Sequence, residues 1–141
     1  LGELYREAWW AKRREQGWTK PEDIPAENRV MQSAMRLAEE MGTVPLIILV
    51  CSIAPHAENS VFPAVQNLLL AARALGIGST ITTLHPQVEE RVHRLFQIPP
   101  EVEILACIPL GYPRGKFGPT VRKPTTETVF FNRWDTPPPW A

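Results

Sequence analysis

Hydrophobic residues recur every three or four positions in two segments near the amino end of the chain. This spacing is typical of amphipathic helices with one buried face. It predicts a first helix from Leu1 to about Gln16 and a second from Ala26 to Met41, the latter closed by Gly42. The buried stripe of the first helix is predicted to contain Leu1, Leu4, Tyr5, Ala8 and Trp9. The corresponding stripe of the second contains Val30, Ala34, Leu37, Ala38 and Met41.

Two continuous apolar runs, "VPLIILVC" at 44–51 and "VEILACIPLGYP" at 102–113, have the length of strands. Unbroken apolar strands are typical of sheets that are covered on both faces, so both are predicted to be buried strands. A third strand is predicted in "STITTL" at 79–84, because threonine and isoleucine favour extended structure.

Between the first and third predicted strands lies a helix, Pro63 to Leu75, that is apolar around most of its circumference. Pro63 suits the first turn of a helix, where its missing N–H has no partner to lose. Gly76 and Gly78 are predicted to end it. A helix with so little polar surface is expected to be buried on several sides, and a partner subunit could supply part of the cover.

The segment "PQVEERVHRLFQI" predicts a fourth helix, with Val88, Val92 and Leu95 facing inward. A loop is predicted at 114–124, and "TTETVFFNRW" is interpreted as a short helix or strand. The order helix, helix, strand, helix, strand, helix, strand favours a three-layer α/β or α+β sandwich.

Composition narrows the possible functions. The 141 residues fit one domain, and the formal net charge of zero argues against a nucleic-acid or anionic membrane surface. No apolar run approaches the roughly 20 residues of a membrane span, and no basic-then-apolar leader is present. The two cysteines, Cys51 and Cys107, are expected to be buried, reduced thiols of a cytoplasmic protein.

The sequence contains few motifs that indicate a catalytic or binding site. His56, His85 and His93 lack partners at metal-ligand spacing, so no metal site is predicted, and His85 is interpreted as a structural residue. Two features could bind a ligand: the threonines of "STITTLH", and the arginine of "TVRKP", a natural phosphate contact. Taken alone, the threonines are better interpreted as ordinary strand residues and the arginine as part of a solvated charged loop.

In combination, these segments resemble the FMN-dependent nitroreductase family. The resemblance is carried by "PAVQNLLLAARALGIGSTITTLH", "IPPEVEILACIPLGYP" and "VRKPTTETVFFNRW", and it extends from about Tyr5 to Trp134. It implies an α+β fold with a mixed, mainly antiparallel sheet flanked by helices, in an intertwined homodimer that binds FMN at the interface. It also implies that NAD(P)H reduces the flavin, which then reduces nitroaromatics, quinones or related small-molecule acceptors.

The resemblance also suggests site residues. It places Ile81, Thr82 and Thr83 against the edge of the isoalloxazine ring and Arg122 at the FMN phosphate. No catalytic side chain is implied, since the flavin carries the reactive atom. The threonines are similar to those of the iodotyrosine deiodinase branch, which leaves reductive dehalogenation as an alternative activity.

The chain also departs from the family. The arginine-rich motif and the "P-S-x-x-N" segment that begin the family's flavin site are not found, and Arg13 and Arg14 come too late to stand for them. We therefore expect either an N-terminally truncated chain or a degenerate member, such as a non-catalytic dimeric flavin-binding or scaffold protein. Residues 1–141 alone are expected to purify without flavin and to show no nicotinamide-dependent turnover.

Overall fold

A computed structural model describes residues 1–116, 118 and 122–140 of the chain. Its helices and strands alternate in the order predicted from the hydrophobic pattern. In chain order they are α1 (Gly2–Arg14), α2 (Arg29–Glu40), β1 (Leu46–Ser52), α3 (Glu58–Ala74), β2 (Gly78–Ser79), α4 (Glu89–Phe96) and β3 (Glu103–Gly111). The predicted loop at 114–124 lies partly outside the described residues, so its conformation stays a prediction.

The sheet has the strand order β1-β3-β2, and both pairings are antiparallel. The central strand, β3, is buried from Ile104 to Leu110, as its apolar run predicts. The prediction that β1 is buried on both faces is wrong. Its pairing in the described part of the chain is with β3, so it lies at an edge, and Leu46 retains 55% of its exposure.

Alternating side chains of the strands divide the core into two layers. Ile47, Leu49 and Cys107 pack on the side of α1 and α2, whereas Ile48 and Ile108 pack on the side of α3. This alternation follows from the two-residue period of a strand. The sheet is thus covered by helices on both faces, which confirms the α+β three-layer sandwich.

A bulge in β3 gives its first part a different set of neighbours. Val50 lies opposite Ala106 and Cys51 lies opposite Ile104, which leaves Leu105 as the extra residue. The shift turns Ile104 towards the α1 side of the sheet. There it packs in a buried cluster with Ala8, Val88 and Val92.

Helix α3 begins five residues before the predicted start. Glu58 occupies its first turn, where an acidic side chain is favoured, and Pro63 lies inside the helix. Its C-terminal end agrees with the prediction. Gly76 adopts the left-handed backbone conformation, with φ of 76°, and the amide of Ile77 donates to the carbonyl of Ala72. This combination is a common way for a right-handed helix to end at a glycine.

In the single chain α3 is buried only on the side that faces the sheet, and the cover expected from a partner subunit stays a prediction. Val65 and Ala72 face the sheet and are buried. On other positions of the helix, Leu70 is 57% exposed and Leu75 is 75% exposed. The apolar pattern of α3 therefore covers more surface than the sheet of one chain can bury.

Four further predictions need correction. Val30, predicted in the buried stripe of α2, is 73% exposed. Leu95 is 52% exposed, and Ile98, which follows the left-handed residue Gln97, packs instead against the cluster that contains Val88 and Val92. Cys51 is exposed because it lies near the end of an edge strand. The segment "TTETVFFNRW" contains a 3₁₀ turn, Thr125–Glu127, followed by irregular turns.

The helices on the α1 side approach each other closely. A Cβ atom at Gly2 would lie 2.5 Å from the Cα of Gly42, a distance that side chains essentially never tolerate. Glycine at the start of α1 therefore allows it to cross the end of α2. This contact fixes the position of α1, and α1 provides one wall of the candidate site.

Candidate functional site

The predicted strand "STITTL" is regular at its start only. Ser79 pairs with Leu110, and a single further bridge joins Thr82 to Cys107 through two backbone hydrogen bonds of 3.0 Å. In this register Pro109 lies opposite Thr80, at a position where an antiparallel ladder requires an N–H from β3. Proline has none, so the ladder is interrupted between β2 and the Thr82 bridge.

The interruption leaves Thr80 and Ile81 outside the regular sheet, with Thr82 fixed beyond them. The hydroxyl of Tyr5, on α1, lies 2.9 Å from Oγ1 of Thr82, close enough for a hydrogen bond. Tyr5 is itself buried, at 3% exposure. Burial raises the pKa of Tyr5 above its ordinary value, while the hydrogen bond with Thr82 acts in the opposite direction. The phenol therefore remains protonated at neutral pH.

A cavity of about 730 Å³, here called the Thr82 cavity, opens between α1, α2 and the 80–84 segment. A volume of this size is within the range of small-molecule sites. The residues that matter for its chemistry are Tyr5, Trp9, Arg13, Arg29, Ile81 and Thr82. The guanidinium carbon of Arg13 lies 5.4 Å from the centre of the Trp9 ring, a cation–π distance.

A second cavity of about 740 Å³, here called the Arg36 cavity, lies beside the Thr82 cavity and is also lined by residues of α2. Ser33, Leu37 and Thr80 line both cavities. The Arg36 cavity also contains an ion pair, in which Nη1 of Arg114 lies 3.0 Å from Oε1 of Glu40. The two cavities therefore share one wall but differ in charge.

The structure brings two of the four predicted cofactor contacts to the Thr82 cavity. Ile81 and Thr82 line it, whereas Thr83 is exposed and is not among its lining residues. Arg122 is also exposed and lines neither cavity of its own chain. The roles of all four residues in cofactor binding stay predictions.

Sequence reasoning missed the contributions of Tyr5 and Trp9, which it assigned to the apolar stripe of α1. Both side chains combine a large apolar surface with a polar group that needs a partner when buried. A tyrosine at the start of a buried stripe is a signal for such a partner, but the partner, Thr82, is 77 residues away in the chain. Its identity therefore depends on the tertiary fold.

His85 is buried, with 2% exposure, and its Nε2 hydrogen bonds the carbonyl oxygen of Ile104. Because a carbonyl can only accept, Nε2 carries the proton. This contact joins the turn before α4 to β3. His85 is not among the lining residues of either cavity, which agrees with its interpretation as structural.

In the part of the chain that the structure describes, no helix has both the length and the apolar character needed to cross a membrane.

Comparison with known proteins gives consistent matches. A family model described as "Nitroreductase family" matches residues 10–112. Curated relatives in Methanothermobacter thermautotrophicus and Archaeoglobus fulgidus are 51% and 40% identical over 53 residues, which is 36% of this chain. Solved structures from Parabacteroides distasonis and Bacteroides thetaiotaomicron are 30% and 25% identical over 71% of this chain, with TM-scores of 0.56 and 0.60.

All four of these proteins carry the name "Putative NADH dehydrogenase/NAD(P)H nitroreductase". The matched parts amount to 27% and 30% of the curated relatives and to 61% and 60% of the solved structures. The match of the family model covers well over half of the chain. On the combined evidence of the family match, the related structures and the α+β sandwich, the chain belongs to the nitroreductase family.

Proposed function

We propose that the protein is an FMN-dependent oxidoreductase that uses NAD(P)H to reduce nitroaromatics, quinones or related acceptors. One observation carries this proposal. Ile81 and Thr82, the residues that the family resemblance places at the flavin edge, line a cavity large enough for a flat heteroaromatic ring. The names of the related proteins support the use of a nicotinamide nucleotide.

The described residues fit one part of FMN well. Because Pro109 interrupts the ladder, the backbone at Thr80 and Ile81 is not committed to the sheet and is available to a ligand edge. The Tyr5 hydrogen bond holds the Thr82 side chain in one rotamer. The 80–82 segment is thus fixed at Thr82, while its backbone groups at Thr80 and Ile81 are unpaired among the described residues. It can offer these groups to a ligand without a change of conformation.

When bound, FMN would supply the hydride-transfer chemistry, taking electrons from the nicotinamide and passing them to the acceptor. The chain's own residues would bind, orient and shield the ring. Tyr5 and Thr82 would fix the ring edge, and the apolar side chains of Met31, Leu37 and Leu84 would exclude water from the cavity.

The proposal includes a homodimer. The exposed apolar residues of α3, Leu70 and Leu75 foremost, form the kind of surface that a second subunit would bury. Arg122 lines neither cavity of its own chain, so its proposed contact with the FMN phosphate belongs to a site shared by two protomers. The two free cysteines and the need for NAD(P)H support a cytoplasmic location.

The experiment combines flavin binding and turnover. The purified protein, and the same protein with any coding sequence that precedes Leu1, are titrated with FMN and followed by the visible flavin spectrum. NAD(P)H oxidation is then measured with a nitroaromatic acceptor against a control of free FMN. The proposal expects a perturbed flavin spectrum in both forms and turnover above the control in the longer one. An unchanged spectrum at saturating FMN would favour the scaffold alternative.

A further inference from the structure

His85 is an ionisable side chain in a fully buried position, directly after the 80–84 segment of the candidate site. It is 2% exposed. Its Nε2 atom donates to the carbonyl oxygen of Ile104, whereas its Nδ1 atom is buried and has no hydrogen-bond partner among the described residues. Most buried polar atoms in folded proteins have a partner, so the unpaired Nδ1 atom is an exception that needs a physical reason.

The ring of His85 attaches one end of the 80–84 segment to the central strand. Thr82 is bonded to Cys107 through its backbone, and three residues later His85 is bonded through its side chain to Ile104, three residues back along β3. The turn that begins at this point, His85–Val88, packs against α1, α4 and β3. A change at His85 therefore acts on the segment and on the start of α4 together.

The surroundings of His85 contain no partner for a positive charge on its ring. Val88 packs in a cluster with residues of α1, α4 and β3. The charged or titratable residues next to the cluster members in the chain are Glu7, Glu89, Arg91, His93 and Glu103. Glu7 pairs with Arg91, and Glu89 lies 3.7 Å from His93. Glu103 is exposed, and among the described residues no carboxylate forms an ion pair with His85.

The titratable groups of the adjacent core cluster offer no charge either. Tyr5 and Cys107 are both buried there, and burial raises the pKa of each, to about 11 for Cys107. Both are therefore neutral at neutral pH. The ring of His85 lies among uncharged groups on this side of the sheet.

Protonation of His85 would add a second N–H donor, at Nδ1. In the closed structure this donor would have no acceptor among the described residues, and its charge would be buried, so both terms are unfavourable. Neither term applies when the ring is in water, where histidine takes up a proton near about pH 6.5. The closed structure is thus fully stable above this pH and loses stability as the pH falls below it.

We propose that His85 is a pH-sensitive anchor, whose protonation releases the 80–84 segment and the start of α4 from the central strand. The neutral ring holds the closed structure through its bond to Ile104. The charged ring favours an open form in which the bond is broken. This inference goes beyond the proposed function and does not rest on it, because the release requires no bound flavin.

Amide hydrogen exchange of the whole chain, without ligand, tests the release. Protection factors, corrected for the intrinsic effect of pH, are compared at about pH 7.5 and about pH 5.5, where carboxylates still carry their charge. Protection of the Thr82 amide and of the 85–88 turn is expected to fall about tenfold, because an open histidine gains its proton over this range. Unchanged protection would overturn the proposal. An equal loss in α3, on the other face of the sheet, would show general unfolding and would also overturn it.

Two variants assign the effect to His85. His85→Gln keeps an N–H donor for the Ile104 carbonyl but cannot be protonated in this range, so its protection factors are expected to be the same at both pH values. His56→Asn is the control, because His56 is exposed and has a positive φ of 56°, which asparagine tolerates. This variant is expected to retain the tenfold loss. If the loss persists in His85→Gln, His85 is not the anchor.

A measurement on the wild type keeps the proposal testable if His85→Gln does not fold. Long-range nitrogen–proton NMR spectra of the imidazole rings distinguish the two neutral tautomers from the charged form. His85 is expected to show the neutral form with its proton on Nε2 at both pH values, whereas the exposed ring of His56 becomes charged. A charged His85 ring in the folded protein at about pH 5.5 would contradict the proposal.

Discussion

The hydroxyl of Tyr5 and Oγ1 of Thr82 lie 2.9 Å apart and join the first helix to the segment that forms the candidate site. Thr82 is held on its other side by two backbone hydrogen bonds to Cys107, in the central strand. The site is thereby connected to α1 and to β3, whose residues Tyr5 and Cys107 pack in one core cluster. Its geometry depends on α1 as much as on the sheet.

Removing the Tyr5 hydroxyl tests this connection. Tyr5→Phe is expected to lower the free energy of unfolding by about 1 kcal/mol, because the buried Thr82 bond is lost. Chemical denaturation measures the change. Tyr112→Phe is the control, since Tyr112 is 84% exposed and its substitution should have little effect. Equal stabilities of the two variants would show that the Tyr5–Thr82 bond contributes nothing.

The two cysteines are expected to react at very different rates. Burial raises the pKa of Cys107 to about 11, and burial also raises the pKa of Cys51, which remains exposed. Only the thiolate reacts, so raised pKa values mean slow alkylation that accelerates as pH rises. Iodoacetamide and peptide mass mapping should find Cys51 labelled first in the native protein and both residues labelled in denaturant. Faster native labelling of Cys107 would contradict the packing of the central strand.

Dimerisation through α3 is tested best at Leu70. Leu69 is half-buried against the sheet, so a charge there should disturb folding as well as association. Leu70→Glu is expected to convert the dimer to a folded monomer, since Leu70 is 57% exposed in one chain. Leu95→Glu, at a leucine of similar exposure on α4, should leave the dimer intact. A wild-type monomer at high concentration in light scattering would exclude the proposed assembly.

The proposed phosphate contact of Arg122 predicts a selective loss. Arg122→Ala is expected to weaken FMN about tenfold, the lower end of the range for a charge-assisted bond, because the residue is exposed in the single chain. Riboflavin, which lacks the phosphate, should bind both proteins alike. Arg94→Ala removes another exposed arginine and serves as the control. The assignment would fail if FMN affinity were unchanged.

Local patterns predicted the elements whose partners are close in sequence. The end of α3 at Gly76 and the burial of β3 follow from local chemistry, and both are observed. The break in "STITTL" does not, because it depends on Pro109 lying opposite Thr80 across the sheet. Proline's missing N–H is visible in the sequence, but the strand that needs it is not.

The candidate site also combines residues that local sequence predicts with residues that only the tertiary fold brings together. The family resemblance, which is carried by contiguous sequence, predicts Ile81 and Thr82 as site residues. It does not predict the arginines of the Thr82 cavity, because Arg13 has the appearance of an ordinary surface residue of a charged helix. Its contact with Trp9 follows from the four-residue spacing along α1, but only the packing of α1 on α2 places it beside Met31. A charge without a counter-ion can be recognised only once its neighbours are known.

The proposed function requires that the 80–84 segment holds the edge of a flavin. Hydrogen–deuterium exchange with and without saturating FMN tests it most directly, because it locates binding even when affinity is weak. We expect slower exchange in peptides that contain Ile81 to Leu84 and in the facing part of α1, with no change in α4. Binding of FMN that leaves the 80–84 segment unprotected, or no binding at all, would contradict it.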